Sequence, residues 1–368
     1  MNEESKALLH LSLTKGIGTT TYRMLLERFG SASAVLNARR TELEGIPGIG
    51  TKLADELTRS RNNVNIDKEL ALAQEHGVNI VPYTHEDYPH NLRAIYDPPL
   101  VLYIKGKLNP SDVLSMAIVG SRRCTYYGQS QSKRLARLLG QSGFTIVSGL
   151  ARGIDTVAHQ GALEVGARTI TVMGCGLGRV YPRENRELAE RISCQGAVVS
   201  ELPMLTPPSD KNFPPRNRLI SGLSLGVVVV EASQRSGALI TAHWALEQGK
   251  EVFAVPGQVD SPYSRGTHRL LKEGAKLVED VNDIIEELGP LAETLSICDE
   301  KEEVQDPRSL ALNSQEKKIF SLLSSQPKTI DEITEESQLP ASNVASTLMI
   351  LEIRKLIKQL SGKRFVKA

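Results

Sequence analysis

Between about residue 111 and residue 290, short apolar runs rich in β-branched residues recur with helical segments between them. The runs are Ser115–Val119, Thr145–Ser148, Thr169–Met173, Ala197–Ser200, Gly226–Val230, Glu251–Val255 and Lys276–Leu277. The segments between them include Ser130–Ser142, Asp155–Val165, Glu184–Ile192, Ala238–Glu247 and Thr267–Lys272. A strand apolar along its whole length is buried on both faces, and a helix after each strand supplies the crossover that parallel pairing requires. The pattern therefore predicts an α/β domain with a Rossmann-like, doubly wound and mostly parallel sheet. Ligands of such sheets bind beyond the carboxyl ends of the strands, so the turns there are the first place to look for chemistry.

Four such turns carry suitable residues. In Val119-Gly120-Ser121-Arg122-Arg123, Gly120 permits close approach, Ser121 offers a hydroxyl and a cap, and Arg122 can clamp a phosphate. Ser148-Gly149-Leu150-Ala151-Arg152-Gly153-Ile154-Asp155 again runs from strand to helix and has backbone N–H groups able to cradle an anion. There Asp155 reads as a helix cap and His159 as a packing residue. Gly174-Cys175-Gly176-Leu177-Gly178 precedes Tyr181-Pro182. The fourth, Ser233-Gln234-Arg235-Ser236-Gly237, starts a helix at Ser236-Gly237 and follows soon after Asn212-Phe213-Pro214-Pro215-Arg216-Asn217-Arg218. That Pro-rich stretch reads as a loop and combines an aromatic face with guanidinium groups, a combination that stacks a base and holds a phosphate without reading sequence. The same residues also suit a loop whose Phe plugs the core and whose Arg residues form ion pairs.

No turn has the Gly-x-x-x-x-Gly-Lys-Ser/Thr pattern of a P-loop. The acidic residue of the dinucleotide fingerprint is also missing; Glu201 is its sole candidate. Paired carboxylates, a Ser–His–Asp order and a metal-ligand cluster are not evident, which argues for no catalytic residue, no metal and no cofactor. The formal net charge is +1, so any nucleic-acid site must be a local patch. Cys124, Cys175, Cys194 and Cys298 have no paired spacing and read as reduced thiols. The N-terminus lacks a signal-peptide core, and no apolar run approaches the ~20 residues of a membrane span. These features predict a soluble cytoplasmic protein.

The flanks differ from the centre. Residues 1–65 read as short helices punctuated by Lys15-Gly16-Ile17-Gly18 and Gly45-Ile46-Pro47-Gly48-Ile49-Gly50. This resembles a tandem helix-hairpin-helix, used either to approach a DNA phosphate or as a packing module. Residues 66–290 form the extended Rossmann-like domain, and 291–309 read as an acidic linker containing Asp299-Glu300-Lys301-Glu302-Glu303. Residues 310–368 carry helices at Ser314–Ser324, Thr329–Ser337 and Ala341–Lys355, then strands Ile357–Leu360 and Arg364–Val366 turned at Ser361-Gly362. Three helices and a hairpin match a winged helix, although the helix from Ala341 shows few basic residues for duplex readout.

Taken in order, Gly120-Ser121-Arg122, Ser148 to Asp155, Tyr181-Pro182, Asn212 to Arg218, Ser236 to Ala242 and Phe253-Ala254-Val255-Pro256-Gly257 resemble the DNA-processing protein A family, DprA or Smf. The resemblance covers about 66–285, and both flanks fit the same architecture. It implies a cytosolic protein that binds single-stranded DNA, forms a homodimer through the Rossmann-like domain and loads RecA recombinase during natural transformation. It places Arg122 against the DNA backbone and makes Lys211 and Phe213 the basic and aromatic positions, followed by Arg216 and Arg218. Together the DNA-binding set is Gly120, Ser121, Arg122, Ser148, Gly149, Arg152, Lys211, Phe213, Arg216, Asn217, Arg218, Ser236 and Gly237. One departure is His268, where the family more often shows Asn. The competing class is a nucleoside-monophosphate phosphoribohydrolase, but the turn at Ser233–Leu239 lacks that enzyme's double glycine and acidic residue.

Overall fold

The computed structural model describes residues 1–297, 312–323, 328–353, 356–360 and 364–367. They fall into two compact units, the first made of Met1–Gly140 and Phe144–Glu287, the second mainly of the residues from Leu288 onward.

The first unit opens with five helices: α1 (Glu3–Leu13), α2 (Thr19–Phe29), α3 (Ala32–Asn37), α4 (Arg40–Glu44) and α5 (Thr51–Asn63). The two glycine-rich hairpins adopt one geometry. Gly16 and Gly48 both have φ of 88°, a left-handed conformation that glycine tolerates best, and Gly18 and Gly50 are the N-caps of α2 and α5. Between each pair a buried isoleucine, Ile17 or Ile49, plugs the helical core.

Helix α6 (Ile66–Glu75) leads into β1 (Val78–Pro82), α7 (His90–Arg93) and β2 (Val101–Gly106). The alternation then begins with β3 (Ser115–Val119), α8 (Tyr126–Gln141), β4 (Thr145–Ser148), α9 (Ile154–Glu164) and β5 (Thr169–Val172). It continues through α10 (Arg186–Gln195), β6 (Ala197–Ser200), α11 (Phe213–Leu223) and β7 (Gly226–Val229). It ends with α12 (Gly237–Glu247), β8 (Glu251–Ala254), α13 (Arg265–Lys272), β9 (Lys276–Leu277) and α14 (Val281–Ile297). All residues of β3 to β7 are buried, as two-sided burial requires. Each fully buried Val, Ile or Leu contributes about 1.5–3 kcal/mol.

The nine strands are ordered β1-β2-β6-β5-β4-β3-β7-β8-β9. Pairing is parallel from β6 through to β9, while β1 and β2 add an antiparallel edge. The fold is thus the Rossmann-like, doubly wound, mostly parallel sheet that the apolar runs predict. The chain winds outward from β3 through β4, β5 and β6, then returns to place β7 on the other side of β3. That reversal opens a crevice beyond the carboxyl ends of β3 and β7.

Strand β2 starts just after Pro98 and Pro99, and its Val101–Ile104 are buried. One difference from the sequence reading lies in this unit. The stretch from Phe213 is a helix, not a loop: Pro214 and Pro215 stand in its first turn, where a missing N–H costs no intrahelical bond.

The second unit contains α15 (Ser314–Leu322), α16 (Ile330–Ser337) and α17 (Ala341–Ile353), with strands β10 (Lys328–Thr329), β11 (Ile357–Leu360) and β12 (Arg364–Lys367) in the order β10-β12-β11. Asn313 with Glu316 and Thr329 with Glu332 form capping boxes for α15 and α16. Ile319, Ile333, Val344, Leu348, Leu351 and Phe365 close its core. This is a winged helix with a third strand, β10, that is too short to show as a periodic pattern. Helix α14 continues to Ile297, into the stretch read as a linker; residues 298–311, including Asp299–Glu303, and the turn at Ser361-Gly362 lie outside the described residues.

Candidate nucleic-acid interface

The crevice at the reversal point has a volume of about 630 Å³. Its walls include Gly120–Arg123 after β3, Ser233, Ser236 and Gly237 after β7, and Phe213, Arg216 and Asn217 at the start of α11. Sequence-distant turns meet here because their glycines allow backbone to lie on backbone. A Cβ at Gly120 would stand 2.6 Å from Ile154 Cγ1, and one at Gly153 would collide with the Ser121 carbonyl oxygen. Gly153 also has φ of 79°, and the Ile154 amide donates to the Ser121 carbonyl at 3.2 Å. The β3 turn is held from its other side by Glu231, whose buried carboxylate accepts from the Thr125 amide (2.9 Å) and the Thr125 hydroxyl (2.5 Å). Ser121 closes a local turn by accepting from the Arg123 amide at 3.1 Å, which leaves Arg122 exposed at the rim.

Across the crevice, Ser236 caps α12 by accepting from the Ala238 amide, so the positive end of that helix faces the space. Asn217 ties the two walls together, donating from Nδ2 to the Gly237 carbonyl at 3.2 Å. Phe213 is half-buried, packed against Gly174, with the Tyr181 ring stacked beside it at 5.9 Å and 29°. The Arg122 guanidinium lies over the Phe213 ring at 5.2 Å and that of Arg216 at 6.0 Å. The mouth thus offers an aromatic face, an exposed guanidinium and a helix N-terminus within one space.

The floor is a buried polar network. Arg216 donates to the Val172 carbonyl from Nη1 and to Asn217 Oδ1 from Nε at 3.2 Å. Asp155 accepts from the Ala151 amide at 3.3 Å. Burial pushes the Asp155 carboxyl up to about 6, against the opposing pull of the Arg216 guanidinium. His159 is fully buried and pushed down to about 4, chiefly by burial, so its ring is neutral. Its Nε2 lies 2.7 Å from the Gly149 carbonyl, which can only accept, so Nε2 carries the proton; Nδ1 lies 2.7 Å from the Thr169 hydroxyl. His159 is therefore a packing residue. Asp155 sits inside the first turn of α9 and holds the preceding loop, while the N-cap position belongs to Gly153.

The structure brings Gly120, Ser121, Arg122, Phe213, Arg216, Asn217, Ser236 and Gly237 to one crevice. The remaining residues of the sequence-based set lie elsewhere. Ser148 is fully buried and donates to the Ile118 carbonyl at 2.6 Å, so its hydroxyl faces the sheet. Gly149 lies beneath the floor, where Asp155 and Arg216 fill the space beside its Cα. Arg218 turns to the opposite side of α11 and pairs with Asp97 (2.9 Å) and Glu201 (2.6 Å), because a helix sends residues two apart to different faces. Glu201 is thereby an ion-pair partner. Arg152 is exposed in an adjoining recess and pairs with Glu184. Lys211 is exposed next to Asp210, which lines the crevice. His268 contacts Gly257 through Nε2, with the carbonyl oxygen at 3.1 Å. The sequence reading missed Glu231 as the clamp of the β3 turn; its place directly after an all-apolar strand was the available signal.

In the second unit, the exposed face of α17 carries Ser342, Asn343, Ser346, Met349 and Ile350, and none of these is basic. Among the described residues, no helix is long and apolar enough to cross a membrane.

Comparison with known proteins accounts for this arrangement. Residues 79–289 match the family model for DNA recombination-mediator protein A. Residues 2–39 match a DprA-like N-terminal HHH domain, and 303–363 a DprA winged helix domain. Protein Smf of Synechocystis is 34% identical over 394 aligned positions, covering 99% of each chain. The structure of DNA processing protein A from Streptococcus pneumoniae superposes with a TM-score of 0.68 at 33% identity, covering 77% of this chain and 97% of that one. A Helicobacter pylori DNA processing protein A, solved for its single-stranded DNA binding mode, gives a TM-score of 0.52 at 31% identity over 58% of this chain and 96% of its own. With the crevice, both flanking domains and the family model in agreement, the chain belongs to the DprA/Smf family of DNA-processing proteins.

Proposed function

We propose that the crevice binds single-stranded DNA without regard to sequence. The observation that carries the reading is the half-exposed Phe213 ring at the mouth, with Arg122 over its face and the start of α12 across the gap. An incoming base takes the place of Arg122 on the ring, and the released guanidinium moves to the phosphate of the same strand. Arg216 fixes the floor charge, while Ser121, Ser236 and Gly237 present short polar groups and backbone N–H donors to further phosphate oxygens. Lys211 and Arg152 extend the positive rim. Every base has a π-face and every linkage a phosphate, so the interaction tolerates any sequence, and duplex DNA, with its base faces hidden, is disfavoured. The related Helicobacter pylori protein, solved for its single-stranded DNA binding mode, supports the same ligand here.

In this reading no bond is made or broken. Residues 66–290 hold the strand, flanked by the helical domain of residues 1–65 and, beyond the segment 291–309, the winged domain of residues 310–368. The protein acts in the cytoplasm as a homodimer joined through the Rossmann-like domain, protects incoming DNA and delivers it to RecA recombinase. Light scattering tests the dimer, and RecA filament assembly on oligo-dT tests delivery. For the crevice itself the test is Phe213→Leu. Stacking contributes about 1–3 kcal/mol per base, so oligo-dT affinity falls at least about fivefold, while Phe213→Trp keeps it. Unchanged affinity in Phe213→Leu would remove the basis of the reading.

A further inference from the structure

Beside the crevice, on the far side of Phe213, lies a shallow recess lined by Leu150, Ala151, Arg152, Tyr181 and Pro182. Tyr181 is 43% exposed, a large ring left facing solvent, and it continues the aromatic surface of Phe213 outward. The segment bearing it is firmly placed. Asn185 is buried and donates from Nδ2 to the Leu150 carbonyl (2.9 Å) and the Thr156 hydroxyl (2.8 Å), pinning the turn Arg183–Asn185 to the loop before α9. Within that pinned turn Glu184 reaches the guanidinium of Arg152, and both side chains are otherwise open to water. Arg179 and Arg183 are exposed in the same segment, so Glu184 is an acidic group in a basic stretch. A carboxylate on a guanidinium occupies the position that a phosphate takes there.

We propose that this recess is a second nucleotide subsite, in which Tyr181 stacks the base next to the one on Phe213, Arg152 takes a phosphate, and Glu184 competes for that guanidinium. The proposal rests on the crevice being a single-strand site and extends its track by one nucleotide. Glu184 acts as a threshold: small anions and isolated phosphates do not displace it, whereas a strand already held at Phe213 delivers its next phosphate to Arg152 at high local concentration. The recess thereby favours continuous strands over scattered anions.

The test is fluorescence anisotropy of labelled oligo-dT with wild type, Tyr181→Leu, Tyr181→Phe, Glu184→Gln and Arg122→Ala, titrated over salt. Tyr181→Leu fills similar space without a π-face and weakens binding at least about fivefold; Tyr181→Phe stays within about twofold of wild type. Glu184→Gln frees Arg152 and tightens binding by about 1.5- to fivefold, the scale of an exposed ion pair. Wild-type affinity in Tyr181→Leu, failure of Tyr181→Phe to retain affinity, or a Glu184→Gln protein that binds no more tightly would overturn the subsite. If Arg122→Ala is impaired while Tyr181→Leu is not, the crevice stands and the subsite alone falls. If Arg122→Ala binds like wild type, the crevice reading itself fails.

Discussion

A methyl group added at Gly149 would place a carbon 2.6 Å from Asp155 Oδ2 and 2.8 and 2.9 Å from the two terminal nitrogens of Arg216. Ordinary contacts begin near 3.4 Å, so all three atoms must retreat by roughly half an ångström or more. Neither side chain is free to do so. Asp155 is held by the Ala151 amide, and Arg216 by the Val172 carbonyl and Asn217. Overpacking of this kind costs about 1–3 kcal/mol. At about 2–4 °C per kcal/mol for a domain of this order, Gly149→Ala lowers the first unit's Tm by about 2–12 °C. Because Arg216 lies beneath Phe213, oligo-dT affinity falls as well. Gly237→Ala is the internal control, since a Cβ there meets nothing within 4 Å, and it leaves Tm within about 2 °C. Thermal melting by circular dichroism, paired with anisotropy, reads both effects. A Gly149→Ala protein that melts and binds like wild type would show that the Asp155–Arg216 floor is not built as described.

Three further outcomes follow from the same geometry. Asp155 is ionised above about 6 and neutral below it, so lowering the pH removes a negative charge from beneath the crevice. Oligo-dT affinity at constant salt therefore rises between pH 7.5 and 5.5, by about sixfold if a bound phosphate lifts the carboxyl one further unit, and Asp155→Asn flattens the profile. Lys250 donates from Nζ to the carbonyls of Ser221, Gly222 and Ser224 at 2.8, 2.7 and 2.6 Å, closing the C-terminal end of α11; Lys250→Met loses about 1–3 kcal/mol in urea unfolding. Glu231→Gln weakens the clamp on Thr125 and lowers oligo-dT affinity severalfold with little change in far-ultraviolet circular dichroism.

The sheet was legible because strands β3 to β7 are buried on both faces and announce it as unbroken apolar runs. The turns after β3 and β7 were legible through their small residues. What stayed hidden depends on partners from other segments of the chain. Nothing near Arg218 shows that it will meet Asp97, which precedes β2, and Glu201, which follows β6, so it read as one more phosphate clamp. Ser148 looked available at a strand end, yet the neighbouring strand claims its hydroxyl through the Ile118 carbonyl. The Pro214-Pro215 pair suggested a loop because proline breaks helices in their interior and starts them at their ends, and the distinction rests on where Phe213 docks.

The most direct test of the account is the affinity of labelled oligo-dT and of the matching duplex for wild type and Arg122→Ala, measured across a salt series. The account predicts preference for the single strand and a log–log salt slope of about −0.7 per phosphate contact. Removing Arg122, the exposed guanidinium over Phe213, weakens single-strand binding and reduces the slope by about 0.7, the share of one contact. Binding that favours duplex, or that is indifferent to Arg122, would contradict it and move the DNA contact out of the crevice.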